Sequence, residues 1–164
     1  MDLGRTLTWT AERWPERLAV AGTQRRLTFE QWDARTNQVA HALLDLGVKP
    51  GDRVLSFLSN SEEMATTHLA LQKIGALATP LNIRLAPNEL AYCLDDARPS
   101  VVLAEDRTRQ LAADALRMVA DSPLLIHIGT DPLDGAHDFD EMVAAASTDA
   151  TGIEVGPGDP SVML

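Results

Sequence analysis

Several groups of side chains in this sequence have types and spacings that could do chemistry. Gly156-Pro157-Gly158 opens like a dinucleotide-binding turn, in which glycines let the backbone approach a pyrophosphate. Ser161 stands where the third glycine belongs, and the run precedes an apolar stretch instead of following one and opening a helix, so it reads as a plain loop. His137, Asp138, Asp140 and Glu141 have the residue types of a metal site, but their spacing fits a helix start, with acids complementing its dipole, better than zinc ligands. Cys93 lies beside Leu90 and Leu94 on an apolar helical face, with no histidine nearby in sequence, so packing is expected of it and not nucleophilic attack. His127, inside an apolar strand, points away from the side of Ile126 and Ile128 and reads as a hydrogen-bonded structural histidine. His41 and His68 sit on helical stretches beside apolar neighbours, as partly buried edge residues. Phosphoryl chemistry needs clustered backbone N–H groups and a cation for the developing charge. No Gly-x-x-x-x-Gly-Lys-Ser/Thr loop occurs, and Lys49 and Lys73 are the only lysines.

The elements that would carry these groups alternate along the chain. Residues 18–22 and 26–29 read as two short strands around a polar turn at Thr23, Gln24 and Arg25. Thr28 and Gln31 form a capping box, the threonine oxygen meeting a free N–H and the glutamine reaching back. Trp32, Thr36, Val39, Leu43 and Leu46 then recur at steps of four, three, four and three, which gives one buried helical stripe. Gly47 stops that helix and Pro50-Gly51 turns the chain. A strand over 53–58 precedes a helix capped by Asn60 or Ser61, running to about Lys73 and ended by Gly75. A strand over 76–81 ends at Pro80, and Pro87 leads a helix over 88–95 with Glu89 in its first turn. A strand over 100–104, a helix over 107–119, a strand over 124–128 and a helix over 139–146 capped by Asp138 complete the series.

Such alternation implies crossover units: an α/β fold, mainly a parallel sheet with helices on its faces. Residues 1–146 form the expected subdomain. Residues 147–160, rich in Gly, Pro, Thr and Asp, read as a linker, so that 147–164 is a linker plus the start of a strand. Ser161-Val162-Met163-Leu164 opens an apolar strand with no turn or polar cap after it, so the chain is expected to be cut from a longer protein. A short terminal edge strand is the alternative.

Composition narrows the function classes. The 164 residues carry 14 basic and 24 acidic side chains, a net charge of −10, which disfavours nucleic acid and argues against a basic surface for anionic lipid. Trp9 and Trp14, just before the first strand, are accordingly expected to pin the N-terminal arm to the body, since no basic patch accompanies them. No run approaches the roughly 18 apolar residues of a membrane span, and the first ten residues lack the apolar region of a secretory signal. The single cysteine cannot form an internal disulfide, which fits a reducing cytoplasm.

In this order the segments resemble a known superfamily. "LTFEQWDARTNQVAHALLDLGVKPGDRV", residues 27–54, is similar to the first block of the adenylate-forming enzymes, which include acyl-CoA synthetases, luciferases and the adenylation domains of peptide synthetases. "NSEEMATTHLALQKIGALATPLNIRLAPNELAYCLDDARPSVVLAED", residues 60–106, resembles the fatty-acyl and aryl-acyl CoA ligase branch, and "GDPSVML" the lead-in to the family's Ser/Thr/Gly-rich phosphate loop.

The resemblance implies the N-terminal subdomain of a large domain, belonging to an enzyme that uses ATP and Mg²⁺ to turn a carboxylic acid of the fatty class, its chain length not readable from these residues, into an acyl-adenylate and passes it to CoA. The phosphate loop and catalytic lysine region lie beyond these residues, so the chain by itself is expected to be inactive, with no catalytic residue. Arg84, in the Leu-Asn-x-Arg-Leu piece, matches a position where CoA's nucleotide phosphate passes in related ligases, and its planar fork suits phosphate oxygens. The plain alternative is an ion pair with Glu89 or Asp96. Where many relatives cap the next helix with threonine, this chain has Ala86, at a cost of about 1 kcal/mol. A bared apolar face is expected to promote self-association. Rival readings are a free-standing α/β binding module, and a carrier-loading or luciferase-like adenylating enzyme.

Overall fold

A computed structural model describes residues 3–22, 25–130 and 133–164, so Thr23 and Gln24 of the expected turn lie outside the described residues. The first element is a helix that the sequence pattern did not announce, α1 (Leu3–Arg13). An antiparallel hairpin follows, β1 (Leu18–Ala21) with β2 (Arg26–Thr28). The chain then passes directly into α2 (Phe29–Asp45). Its start is the expected capping box: Gln31 N–H donates to Thr28 Oγ1 at 3.3 Å, and Thr28 N–H donates to Gln31 Oε1 at 3.0 Å. Thr36, Val39 and Leu43 are buried along the expected stripe.

Four parallel strands and a short fifth build the main sheet: β3 (Arg53–Phe57), β4 (Leu77–Pro80), β5 (Val101–Glu105), β6 (Leu124–Ile128) and β7 (His137–Asp138), in the order β4-β3-β5-β6-β7. Between β3 and β4 runs α3 (Glu62–Ile74), capped by Ser61, whose Oγ accepts from Met64 N–H at 3.1 Å. Gly75 ends it at φ 69°, the left-handed region where a side chain would be strained. The remaining helices are α4 (Pro87–Ala97), α5 (Arg109–Leu116) and α6 (Phe139–Ala145).

Alternation along the strands sorts the core into two faces. Val54, Val101, Leu103 and Ile126 pack with α2, α3 and α6; Leu55, Phe57, Val102 and Ala104 pack with α4 and α5. Outside this, α1 lies across α2 and α3. The crossing is close, because a Cβ on Gly4 would come within 2.7–2.9 Å of backbone atoms of Gln72 and Lys73. After α6, Asn37 Nδ2 and Gln72 Nε2 donate to the carbonyls of Thr148 and Ser161, and Ile153 packs against the core. Val162 bridges Ala78 in parallel, beside the edge strand β4.

Two boundaries differ from the sequence reading. The helix expected over 107–119 is shorter, because Thr108 Oγ1 donates to Phe57 O at 2.8 Å and accepts from Glu105 N–H at 2.9 Å, holding residues 106–108 in a turn. Ala86 does stand at the start of α4 without a side-chain cap, yet half the box survives, since its N–H donates to Glu89 Oε2 at 2.8 Å. With Ala86 already in extended conformation, φ −77° and ψ 160°, Ala86→Ser should restore the missing half. The expected gain is about 1 kcal/mol, read as a higher urea midpoint at unchanged slope.

Candidate functional site

Strand order dictates where a site can form. β3 leads into α3 on one face, and β5 leads into α5 on the other, so the helices diverge between neighbouring strands. In open α/β sheets the crevice outside the carboxyl ends at such a switch point is the default ligand site. A cleft of about 840 Å³ opens there, walled by the β1–β2 hairpin, the start of α3 and the ends of β5 and β6.

Its charged lining is Arg25, Glu62, Glu63, Glu105, Asp106 and Arg107, four carboxylates against two guanidiniums. Most of these groups are engaged in holding elements together. Glu62 Oε1 takes Arg35 Nε at 2.9 Å and Thr66 Oγ1 at 2.5 Å, and Trp32 Nε1 donates to Thr66 Oγ1 at 2.8 Å, which joins α2 to α3. Asp140 of α6 joins the same cluster through Arg25 at 3.3 Å and Arg35 at 3.7 Å. Glu105 accepts from Ser59 N–H and Oγ, fixing the loop after β3. Asp106 accepts from Thr130 N–H at 3.2 Å and fills the space where Gly129 lacks a side chain, a Cβ there falling 2.3 Å from Oδ1.

Geometry thus makes the cleft a braced wall. A triphosphate would meet an acid-dominated lining, and the N–H groups at the start of α3 are partly spent on Ser61. The residues here do not fit ATP or its metal.

His127 is buried on the α4/α5 side, as its strand register requires. Its Nε2 lies 2.9 Å from Asp106 Oδ1, and among the described residues neither ring nitrogen has a partner of good hydrogen-bond geometry. The expected hydrogen-bonded histidine is therefore corrected to a buried ring in close polar contact. Asp138 caps α6, accepting from Glu141 N–H at 2.8 Å, and Cys93 is half-buried. Burial lowers the pKa of the His68 imidazole below its ordinary value.

Arg84 is brought to the same carboxyl edge but not into the cleft. It is exposed on the loop after β4, held by its own N–H donating to Asn82 Oδ1 at 3.0 Å. Among the described residues its guanidinium makes no ion pair; Glu89 is turned instead to the Ala86 N–H. The sequence reading missed the cluster of Arg25, Arg35, Glu62 and Asp140, whose members come from four separate segments and leave no local signal.

An open parallel sheet with helices on both faces and a cleft at its switch point defines the doubly wound α/β class. The AMP-binding enzyme family model matches residues 7–164, and the chain belongs to that family. It is 34% identical over 142 residues to a long-chain-fatty-acid–CoA ligase, FadD13, of Mycobacterium tuberculosis, covering 87% of this chain and 27% of that ligase. Among solved structures, the anthranilate CoA ligase AuaEII in complex with anthranoyl-AMP superposes with a TM-score of 0.93 at 25% identity, over 99% of this chain and 31% of that one. The N-terminal domain of FACL13 from Mycobacterium tuberculosis superposes with a TM-score of 0.85 at 31% identity, over 99% of this chain and 41% of that one. The chain therefore spans well under half the length of the proteins it matches.

Proposed function

We propose that these residues are the N-terminal scaffold of an ATP-dependent acid–thiol ligase, which activates a carboxylic acid, of the fatty class, as its adenylate and transfers the acyl group to CoA. The observation that carries this reading is the family match from residue 7 to 164, together with likeness to ligases named for fatty and aromatic acids. Residues 1–146 act as the scaffold and 147–164 as the passage toward the nucleotide-holding part. ATP and Mg²⁺ belong to the remainder of the ligase, where they supply the activated phosphorus and its charge compensation. No helix among the described residues is long and apolar enough to cross a membrane, and the reducing cytoplasm is the proposed compartment.

Within this scaffold Arg84 contacts a phosphate of CoA. Its guanidinium is exposed and has no carboxylate partner among the described residues, so its N–H groups are able to donate to two phosphate oxygens. In the complete ligase, Arg84→Ala should raise KM for CoA roughly tenfold while leaving adenylate formation unchanged. Equal loss in both half-reactions would mark Arg84 as structural. The 164 residues alone should also self-associate through apolar surface, since Val162 and Leu164 are exposed. Light scattering that reports a monomer at all concentrations would remove that part of the reading.

A further inference from the structure

Residues 81–86, which join β4 to α4, alternate between anchored and exposed positions. Leu81, Ile83 and Leu85 are partly buried and pack against the layer shared with α4 and α5, whereas Asn82, Arg84 and Ala86 are exposed. Leu81 N–H also donates to Ser56 O at 3.0 Å, which ties the start of the stretch to β3. The stretch is a ledge held from its inner side, and its outer side is left to Asn82 and Arg84.

Two hydrogen bonds bend this ledge. Asn82 O accepts from Leu85 N–H at 3.1 Å, closing a four-residue turn, and inside it Asn82 Oδ1 accepts from Arg84 N–H at 3.0 Å. Asparagine suits the first position because its amide oxygen reaches the N–H two residues on, in imitation of a backbone turn. No residue of the turn has a positive φ, so its third position takes a side chain as large as arginine without strain. Asn82 thus acts on Arg84 through its backbone and leaves the guanidinium free of it. Without the Asn82 acceptor, water can satisfy the exposed Arg84 N–H, but the turn is loosened. The cost of ordering Arg84 would then fall on the moment a ligand binds.

We propose that Asn82 is a positioning residue for CoA: its amide oxygen presets the turn from which Arg84 reaches the phosphate. The inference rests on the phosphate reading of Arg84 and adds to it a residue that does not itself touch CoA.

Steady-state kinetics of the complete ligase test it. Asn82→Ala should raise KM for CoA roughly threefold to fivefold, the change falling in KM and not in kcat. Asn82→Ser, which keeps a shorter uncharged acceptor, should recover part of that loss. In an Arg84→Ala background, Asn82→Ala should add less than about 1.5-fold, because the residue it positions is gone. With pantetheine, the phosphate-free thiol end of CoA, as acyl acceptor, the substitution should have no effect on KM. An unchanged KM for CoA in Asn82→Ala overturns the proposal, as does an effect that persists in full beside Arg84→Ala or appears equally with pantetheine. If Asn82→Ala does not fold, Asn82→Ser decides: its smaller rise in KM must likewise vanish in the Arg84→Ala background. Where Arg84→Ala alone leaves KM for CoA unaltered, the phosphate reading falls and this inference with it. Where only Asn82→Ala leaves it unaltered, the reading of Arg84 stands and this inference fails.

Discussion

Lys73→Met should lower the unfolding free energy by about 3 kcal/mol, the scale for removing one member of a mostly buried ion pair. The Lys73 side chain is only 8% exposed where α1, α2 and α3 meet, and its ammonium donates to Asp33 Oδ1 and Asn37 Oδ1, both at 2.6 Å. Asp33 is left with the Thr8 hydroxyl at 2.9 Å, too little for a carboxylate largely out of water. Methionine keeps the stem's packing, so the loss isolates the charge. Adding Asp33→Asn should return part of it, and a double-mutant cycle of urea unfolding measures the coupling. A loss below about 0.5 kcal/mol would mean that the pair behaves as a surface pair.

Phe57→Ala should cost about 3–5 kcal/mol. Phe57 is fully buried at the end of β3, in the layer shared with α4 and α5, and its carbonyl holds Thr108 at the turn before α5. Truncation leaves a void that flanking strands cannot close without breaking register with β5. Chemical denaturation should show a lower midpoint, and Leu18→Ala, at an exposed site, should move it by less than about 0.5 kcal/mol. Similar midpoints for the two would contradict the assigned core.

What the sequence made readable was whatever is governed locally or by period. The stripe of α2, the Thr28–Gln31 box, the Gly75 stop and the β6 run each depend on neighbours within a few residues, and each is where it was expected. Alternating strands and helices also sufficed for the parallel sheet. Helix α1 escaped because its buried side carries small residues, Gly4 and Ala11, with Leu7, and crosses α3 closely, while its tryptophan, Trp9, faces outward. Only the tertiary contact reveals that inversion.

The candidate site was less legible for the same reason. Arg84 could be singled out by resemblance to a motif, and it stands exposed beyond the carboxyl end of β4. The cleft could not be foreseen, because Arg25, Glu62, Glu105 and Asp106 converge only through strand order. Lys73 looked like an ordinary lysine near a helix end, and nothing local marks it as the partner of Asp33, forty residues earlier.

In the ligase proposed above, these residues brace the scaffold without gripping the nucleotide. The most direct test is equilibrium binding of ATP with Mg²⁺ to the 164-residue chain, run alongside ATP–pyrophosphate exchange over a panel of carboxylic acids. Neither saturable binding nor exchange is expected, whichever acid is supplied. Saturable nucleotide binding, or exchange that depends on an acid, would contradict it.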